Sequence, residues 1–300
     1  MTSDAINPPA DPFAALSTPD EPRRPRTRFA IELRQRLQEA AMPDQAATTD
    51  SRAEDRRITA YTGGVSNLFY FTLPAPDLER SKAFFSRVLR WEVGGGSLGG
   101  HVANVTPAGG LFPGGAVGEQ SVFIVVDDIE AAAAKVVELG GVVEGRIEGG
   151  APGRFVSCRD DQGTQFHLQS AGEGEYLSYA RNPVKGSGHG DLFYFSLPVA
   201  DGERARRFYG ELFGWELTEP GPQGGMNAHN LIIDGGVQAG KDGDHAQLWF
   251  RVDDLAAAVD LVRELGGDAT DIEDTPQGLI SYCHDDQGVA FGLAEPAPGF

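Results

Sequence analysis

The chain has 300 residues, 40% of them hydrophobic, and a formal net charge of −19. Its length suits two domains with separate apolar cores. So large a negative charge argues against nucleic acid or an anionic membrane surface as a partner. The sequence lacks a run of about 18 apolar residues and the pattern of a signal peptide, so it predicts a cytoplasmic protein without a transmembrane helix.

The N-terminal extension, residues 1–60, is predicted to be mostly disordered because it is polar and rich in Pro, Ala and Asp. Within it, residues 27–41 place Phe29, Leu33 and Leu37 four residues apart, which predicts one amphipathic helix. We expect this helix to dock on the rest of the chain or on a second copy. A helix that binds a protein partner is the alternative.

The next segment begins with an alternating strand at 68–74, after which Asp77 is predicted to cap a helix that reaches about Arg90. Residues 91–117 contain many glycines, which is typical of short strands joined by tight turns. Residues 121–126 are predicted to form another strand. The order is therefore strand, helix and several short strands.

The same order follows at once. Asp127 is predicted to cap a second helix, Ile129–Leu139, which ends at a glycine pair. Residues 154–158 and 164–169 then form a hairpin. These elements predict an α+β domain made of two βαβββ half-units, whose curved mixed sheets surround a cavity.

The whole arrangement occurs twice. Three segments of the first copy recur in the second in the same order, spaced by 124, 126 and 125 residues: 68–93 at 192–217, 122–141 at 248–267, and 159–168 at 284–293. Chance similarity does not preserve order and spacing together. We therefore expect a first domain at 64–172, a linker at 173–188 and a second domain at 189–297.

Three motifs of the repeat resemble a known superfamily. They are DLERSKAFFSRVLRW (77–91) with DGERARRFYGELFGW (201–215), VDDIEAA (126–132) with VDDLAAA (252–258), and DDQGTQFHL (160–168) with DDQGVAFGL (285–293). The chain is similar to vicinal oxygen chelate proteins of the glyoxalase, bleomycin-resistance and extradiol-dioxygenase type. It most resembles tandem glyoxalase-like proteins with two full domains in one chain. This resemblance implies the fold, whereas the superfamily hosts many chemistries.

The resemblance also implies where a metal would bind. Metal enzymes of this family hold a divalent cation with four side chains, usually His, Gln or Glu, from the opening and closing strands of the half-units. Three of the four positions can be assigned in both copies: Tyr70 and Tyr194, Ser121 and Gln247, and His167 and Gly292. Neither copy keeps the four ligands. His167 and Gln247 are the remaining metal candidates, no cofactor is firmly predicted, and a divalent metal stays an alternative.

The same strands predict a ligand pocket. Side chains two residues apart share a strand face, and the resemblance turns that face towards the cavity. The predicted ligand-binding residues are Tyr70, Thr72, Ser121, Phe123 and His167 in the first copy, Tyr194, Ser196, Gln247 and Trp249 in the second, and His101 and His229 in the glycine-rich segments. Such an aromatic pocket with hydroxyl and amide groups suits a neutral or cationic organic molecule of modest size.

Two further side chains have chemistry to consider. Cys158 and Cys283 stand at equivalent places in the two copies, and neither has a partner for a disulfide within its copy. Each follows a strand and precedes a basic residue, which would favour a thiolate nucleophile. Because no base held by a third group is recognisable in the sequence, we expect both to be small buried residues.

Three functions fit these patterns. The first is a binding protein that holds a small organic molecule without an intact metal site. The second is a glyoxalase-type lyase or isomerase acting on a small oxo compound such as methylglyoxal, with Tyr70, His167 and Tyr194 as catalytic candidates. The third is a regulatory protein that acts through the helix at 27–41. The copies differ at every candidate position except Tyr70 and Tyr194, so we expect two unequal sites, one copy being structural.

Overall fold

A computed structural model describes residues 65–94, 99–150, 153–170, 184–241 and 243–298. The predicted helix at 27–41 lies outside these residues. The first half contains β1 (Leu68–Ala75), α1 (Leu78–Val88), β2 (His101–Val102), β3 (Gly109–Pro113), β4 (Ser121–Val126), α2 (Ile129–Glu138), β5 (Val142–Gly150), β6 (Gly153–Arg159) and β7 (Gln165–Ser170). None of the helices in the described ranges is long and apolar enough to cross a membrane.

The second half repeats this order. It contains β8 (Leu192–Val199), α3 (Gly202–Phe213), β9 (Gly225–Asn227), β10 (Gly235–Ala239), β11 (Gln247–Arg251), α4 (Leu255–Glu264), β12 (Asp268–Ala269), β13 (Glu273–Thr275), β14 (Gly278–His284) and β15 (Ala290–Pro296). The predicted α+β fold with tandem domains is confirmed, because each half forms one curled mixed sheet.

Sheet 1 has the strand order β2-β3-β1-β4-β7-β6-β5, and sheet 2 has the order β12-β14-β15-β11-β8-β10-β9, with β13 paired to β14. In both, the opening strand pairs parallel to one neighbour and antiparallel to the other. The two half-units of each domain therefore meet at the pairs β1–β4 and β8–β11, in the middle of the sheet.

Aspartates begin the four helices of the described chain. Asp77 and Asp201 accept hydrogen bonds from the backbone N–H groups of the first helical turn, as the sequence predicts for Asp77. The prediction for α2 was wrong by one residue. Asp128 caps this helix, through a bond from Ala131 N, whereas Asp127 is exposed after the end of β4. Asp254 caps α4 in the same way.

The helices lie between the two sheets, and each domain packs its first helix on the last strand of the other domain. The ring of Phe85 in α1 lies 5.3 Å from that of Phe291 in β15, and Phe213 in α3 lies 5.5 Å from Phe166 in β7. These rings belong to one hydrophobic cluster that includes both domains. On the opposite, concave face of each sheet the described part of the chain places no helix.

The DDQG motif joins the two domains. The amide of Gln287 accepts a bond from Asp77 N (2.7 Å) and donates to Asp77 O (3.2 Å). Gln162 makes the same pair of bonds with the backbone of Asp201, at 2.7 and 3.0 Å. The adjacent aspartates bind arginines of the facing helices, Asp286 with Arg80 and Asp161 with Arg204. The motifs that reveal the repeat thus form the domain interface.

Candidate functional site

Three aromatic side chains form a row across the concave face of sheet 2. The cross-strand pairs Tyr194–Trp249, Trp249–Gly292 and Gly292–Tyr282 place them side by side on β8, β11, β15 and β14. The ring centroids of Tyr194 and Trp249 are 5.9 Å apart, and those of Trp249 and Tyr282 are 5.8 Å apart. Both contacts are edge-to-face, a favourable geometry for aromatic pairs. We call Tyr194, Trp249 and Tyr282 the aromatic row.

Gly292 makes room for the centre of this row. A Cβ atom added to Gly292 would lie 2.0 Å from Cδ1 of Trp249, far inside van der Waals contact. The indole therefore lies directly against the backbone of β15. The resemblance assigns a metal ligand to position 292, but the tryptophan ring occupies the space that its side chain would need.

Solvent reaches the aromatic row. Tyr282 is 40% exposed, Trp249 and Tyr194 are partly exposed, and the neighbouring Gln247 is exposed. Partly exposed aromatic rings on a curved face provide apolar contact area for a ligand. The row is therefore an accessible surface, unlike the helix-covered face of the same sheet.

Polar groups adjoin the row on the same face. The hydroxyl of Tyr194 donates a 2.7 Å hydrogen bond to Oδ1 of Asn227. Burial, with the negative charge of Asp234, raises the pKa of Tyr194, so its phenol stays protonated. Ser196 is 3% exposed, and its hydroxyl has no hydrogen-bond partner within the described part of the chain. Gln247 lies opposite Ser196 in the strand register. These groups offer hydrogen bonds beside the rings.

The equivalent face of sheet 1 is closed. Its matching row consists of Tyr70, Phe123, His167 and Ser157, and the first three are at most 1% exposed. The ring of Phe123 stacks on the imidazole of His167 at 4.3 Å, with 12° between the planes. The structure thus brings Tyr70, Phe123 and His167 together, as predicted from their strands, but in a packed and buried arrangement.

His167 is a neutral histidine. Its Nδ1 lies 3.0 Å from the hydroxyl of Ser157. Burial, reinforced by the nearby His245 of the second domain, lowers the pKa of His167 to about 3. An imidazole with so low a pKa is a very weak base at neutral pH. This environment disfavours the predicted catalytic role of His167 in proton transfer.

The two candidate histidines of the glycine-rich segments lie in different surroundings. His101 in β2 has Nδ1 3.5 Å from the hydroxyl of Tyr70, on the concave face of sheet 1. His229 lies in an exposed turn and pairs with Glu216 at 2.9 Å. The strand register gives Asn227 the position equivalent to His101, so the structure places Asn227 rather than His229 beside a tyrosine.

The remaining predicted residues face each other across strands. Thr72 lies opposite Ser121, and both are buried, as Ser196 lies opposite Gln247 in sheet 2. The sequence reasoning missed Gln169, which is fully buried with Oε1 unpartnered among the described residues. Gln169 lies two residues after His167 on β7. Strand alternation from His167 would have found it.

The residues of neither face fit a four-ligand metal site. The two candidate ligands His167 and Gln247 belong to different sheets, and the described residues contain no group of three or more His, Cys, Asp or Glu that could hold a cation. In sheet 1 the imidazole of His167 is stacked on Phe123 and bonded to Ser157. In sheet 2 Trp249 fills the space over Gly292. The donor set therefore disagrees with the metal that the family implies.

The two cysteines are buried, as expected, and both are free thiols in the structure. Burial raises the pKa of Cys158 to about 12 and that of Cys283 to about 11. The thiolate form that a nucleophile requires is therefore disfavoured in both.

Comparisons with known proteins support the fold. A family model described as bleomycin resistance protein-like N-terminal matches residues 192–228. A glyoxylase-like domain-containing protein from Didymella fabae is 32% identical, over 26% of this chain and 70% of its own length. The structure of a catechol 2,3-dioxygenase is similar with a TM-score of 0.53, at 18% identity, over 79% of this chain and 91% of that chain.

A second similar structure is the Mn(II)-bound glyoxalase from Novosphingobium aromaticivorans. It has a TM-score of 0.53 at 15% identity and covers 77% of this chain and 82% of its own. At such identities the two solved structures support the fold and not the reaction.

Proposed function

The chain belongs to the vicinal oxygen chelate superfamily, and from that premise we propose that it binds a small organic molecule on the aromatic row of its second domain, without a bound metal. We propose that residues 189–297 form the binding domain and that residues 64–172 form a domain with a structural role. The main observation behind this proposal is the contact of Trp249 with Gly292. At position 292, where the resemblance implies a metal-ligating side chain, the indole ring of Trp249 lies against the backbone instead.

Binding requires apolar area and a few oriented polar groups, and the second domain supplies both. The rings of the aromatic row give the area, while Ser196 and Gln247 give a hydroxyl and an amide next to it. Proton transfer would need a group that titrates near neutral pH. The raised pKa of Tyr194 argues against such a role for it. These properties favour binding over lyase chemistry.

Tryptophan fluorescence tests the proposal directly. The chain has three tryptophans, of which Trp91 and Trp215 are each 2% exposed, so a ligand on the row will change mainly the emission of Trp249. We expect planar aromatic molecules to alter the emission of the full chain and methylglyoxal to leave it unchanged. Trp249→Phe should remove the optical change, whereas Phe123→Leu, at the equivalent position of sheet 1, should keep it. Calorimetry measures binding to the Trp249→Leu chain, which lacks the reporter, and affinity equal to that of the natural sequence would contradict the proposal.

Metal analysis of the full chain, purified without chelator, tests the proposal that the chain binds its ligand without a metal. We expect less than stoichiometric zinc, manganese, iron or nickel and no thermal stabilisation by these ions. One tightly held divalent cation per chain would revive the glyoxalase-type alternative, since the solved relatives include a Mn(II)-bound glyoxalase.

The regulatory alternative depends on residues 1–60, which lie outside the described structure. Deletion of this extension tests it. We expect ligand binding by the shortened chain to match that of the full chain, and a change in affinity or oligomeric state would assign the extension a role.

A further inference from the structure

The charges around the aromatic row restrict its ligand, provided that the proposed function holds. Beside Tyr282, the segment 268–274 carries four exposed carboxylates, Asp268, Asp271, Glu273 and Asp274, and no lysine or arginine. Its strand β13 pairs with β14, which bears Tyr282. Arg263 donates hydrogen bonds to the carbonyls of Ala269 and Thr270 in this segment, so four carboxylates stand against one guanidinium and this end of the row keeps an excess of negative charge.

Glu273 is the carboxylate that the geometry places next to the row. It lies opposite Ile280, two residues from Tyr282 on the same strand, and it is exposed. Burial, together with the negative charge of Glu273, raises the pKa of the Tyr282 hydroxyl. The carboxylate of Glu273 thus acts electrostatically on the exposed ring.

A second carboxylate acts at the other end. Asp234 lies close enough to Tyr194 to raise the pKa of its phenol further, although Lys185 pairs with Asp234. Between the two ends lie the rings, the neutral groups of Ser196 and Gln247, and Arg251, which follows Trp249 by two residues on β11 and holds its guanidinium over the ring of Phe193. Because Lys185 pairs with Asp234, the excess of negative charge lies at the Tyr282 end of the row, where a cation can also meet the ring quadrupoles.

We propose that the ligand of the aromatic row is an organic cation, an ammonium or guanidinium group attached to a flat carbon skeleton. The cationic group lies over Tyr282 and Trp249 near Glu273, and the skeleton covers the row towards Tyr194. Aromatic faces attract cations most strongly when water is partly excluded. The net charge of −19 adds long-range attraction for the same class and repels anions.

The unpartnered hydroxyl of Ser196 gives this ligand a second contact. Because this side chain is 97% buried and forms no hydrogen bond within the described structure, a bound donor or acceptor can complete its bonding. An amine or hydroxyl on the skeleton, near Tyr194, meets that need. The ligand class is therefore a cation with one further polar group.

Three probes that share a phenyl ring and differ in the charge of its substituent show how charge affects binding. We measure binding of benzyltrimethylammonium, benzyl alcohol and benzenesulfonate to the full chain by calorimetry at low salt. The cation should bind about tenfold more tightly than the neutral alcohol, and benzenesulfonate should not bind. Raising the salt to physiological strength should weaken the binding of the cation and leave the affinity for the alcohol unchanged.

Matched variants assign the effect to the row. Glu273→Gln should lower the affinity for the cation about two- to fivefold. Glu148→Gln should have no effect, because Glu148 holds the equivalent position in sheet 1, opposite Phe155 as Glu273 is opposite Ile280. Trp249→Leu should lower the affinity for the cation and for the alcohol alike, by about tenfold.

The outcomes distinguish the two proposals. Equal binding of the alcohol and the cation, both sensitive to Trp249→Leu and neither to Glu273→Gln, would overturn the cation class and leave the pocket intact. Binding of the cation that is insensitive to Trp249→Leu would overturn both.

Discussion

The hydroxyl of Tyr209 in α3 donates a 2.9 Å hydrogen bond to Oδ2 of Asp160 in the first domain, and both residues are buried. The other carboxylate oxygen of Asp160 accepts two backbone N–H groups of its own turn. In the second domain the turn of Asp285 is built in the same way, but Phe85 stands where Tyr209 would be. Oδ2 of Asp285 is consequently buried without a hydrogen-bond partner in the described structure.

The first prediction uses this difference between the halves. Tyr209→Phe should lower the free energy of unfolding by about 1.5–3 kcal/mol, because it leaves a buried carboxylate oxygen unpaired. Phe85→Tyr adds the missing hydrogen-bond donor at Asp285 and should raise the free energy of unfolding by up to about 1 kcal/mol. Urea denaturation measures both. A Tyr209→Phe chain as stable as the natural sequence would show that the bond contributes nothing.

The second prediction concerns the glutamine contacts between domains. Gln287→Ala and Gln162→Ala each remove two hydrogen bonds to the backbone of a helix-capping aspartate and should cost about 1–2 kcal/mol. Gln287→Ala should cost more, since Nε2 of Gln287 also donates to the hydroxyl of Ser81 at 2.8 Å. Gln223→Ala changes an exposed glutamine and is the control. Equal stability of all three variants would refute the interface role of the motif.

The third prediction follows from the lowered pKa of His167. The folded chain holds this imidazole neutral, so the unfolded chain binds more protons as the pH falls from about 6.5, the ordinary histidine pKa, towards 3. Stability from this residue is therefore present above about pH 6.5 and is lost on acidification, by about 2 kcal/mol at pH 5. His167→Gln should lose correspondingly less stability between pH 7 and pH 5.

Ser157→Ala is the matched control for this titration. It removes the hydrogen bond to His167 but keeps the buried imidazole, so denaturation curves should retain most of the acid sensitivity. The same acid sensitivity in the His167→Gln chain would assign the loss to other groups.

Local patterns made much of the fold predictable. Period-two alternation is set by the backbone itself, which is why Tyr194 and Ser196, or Gln247 and Trp249, could be placed on one face from sequence. Aspartate before an apolar helical stripe identified the cap at Asp77 for the same local reason. Two adjacent aspartates offer the same chemistry, so Asp127 and Asp128 could not be distinguished without the backbone of the first turn.

Relationships between distant strands could not be predicted in this way. Tyr282 and Asn227 join the row only through the registers of β14 and β9, and short glycine-rich strands specify register weakly. The contact between Gly292 and Trp249 needs the same pairing information. The glutamine of DDQG bonds across the domain interface, and its sequence neighbours give no sign of that partner.

The fourth prediction tests the fit of Trp249 against Gly292. Gly292→Ala places a methyl group where the indole lies and should cost about 1–3 kcal/mol of stability, as overpacking does, while it displaces the ring and weakens ligand binding. In a Trp249→Leu background the same substitution should cost clearly less, because the flat ring no longer covers position 292. Gly225→Ala, whose added Cβ would meet only ordinary contacts, is the control. The double-mutant cycle measured by urea denaturation decides the matter: strictly additive costs would mean that the two positions do not interact, and the argument that Trp249 occupies the lost ligand position would fail.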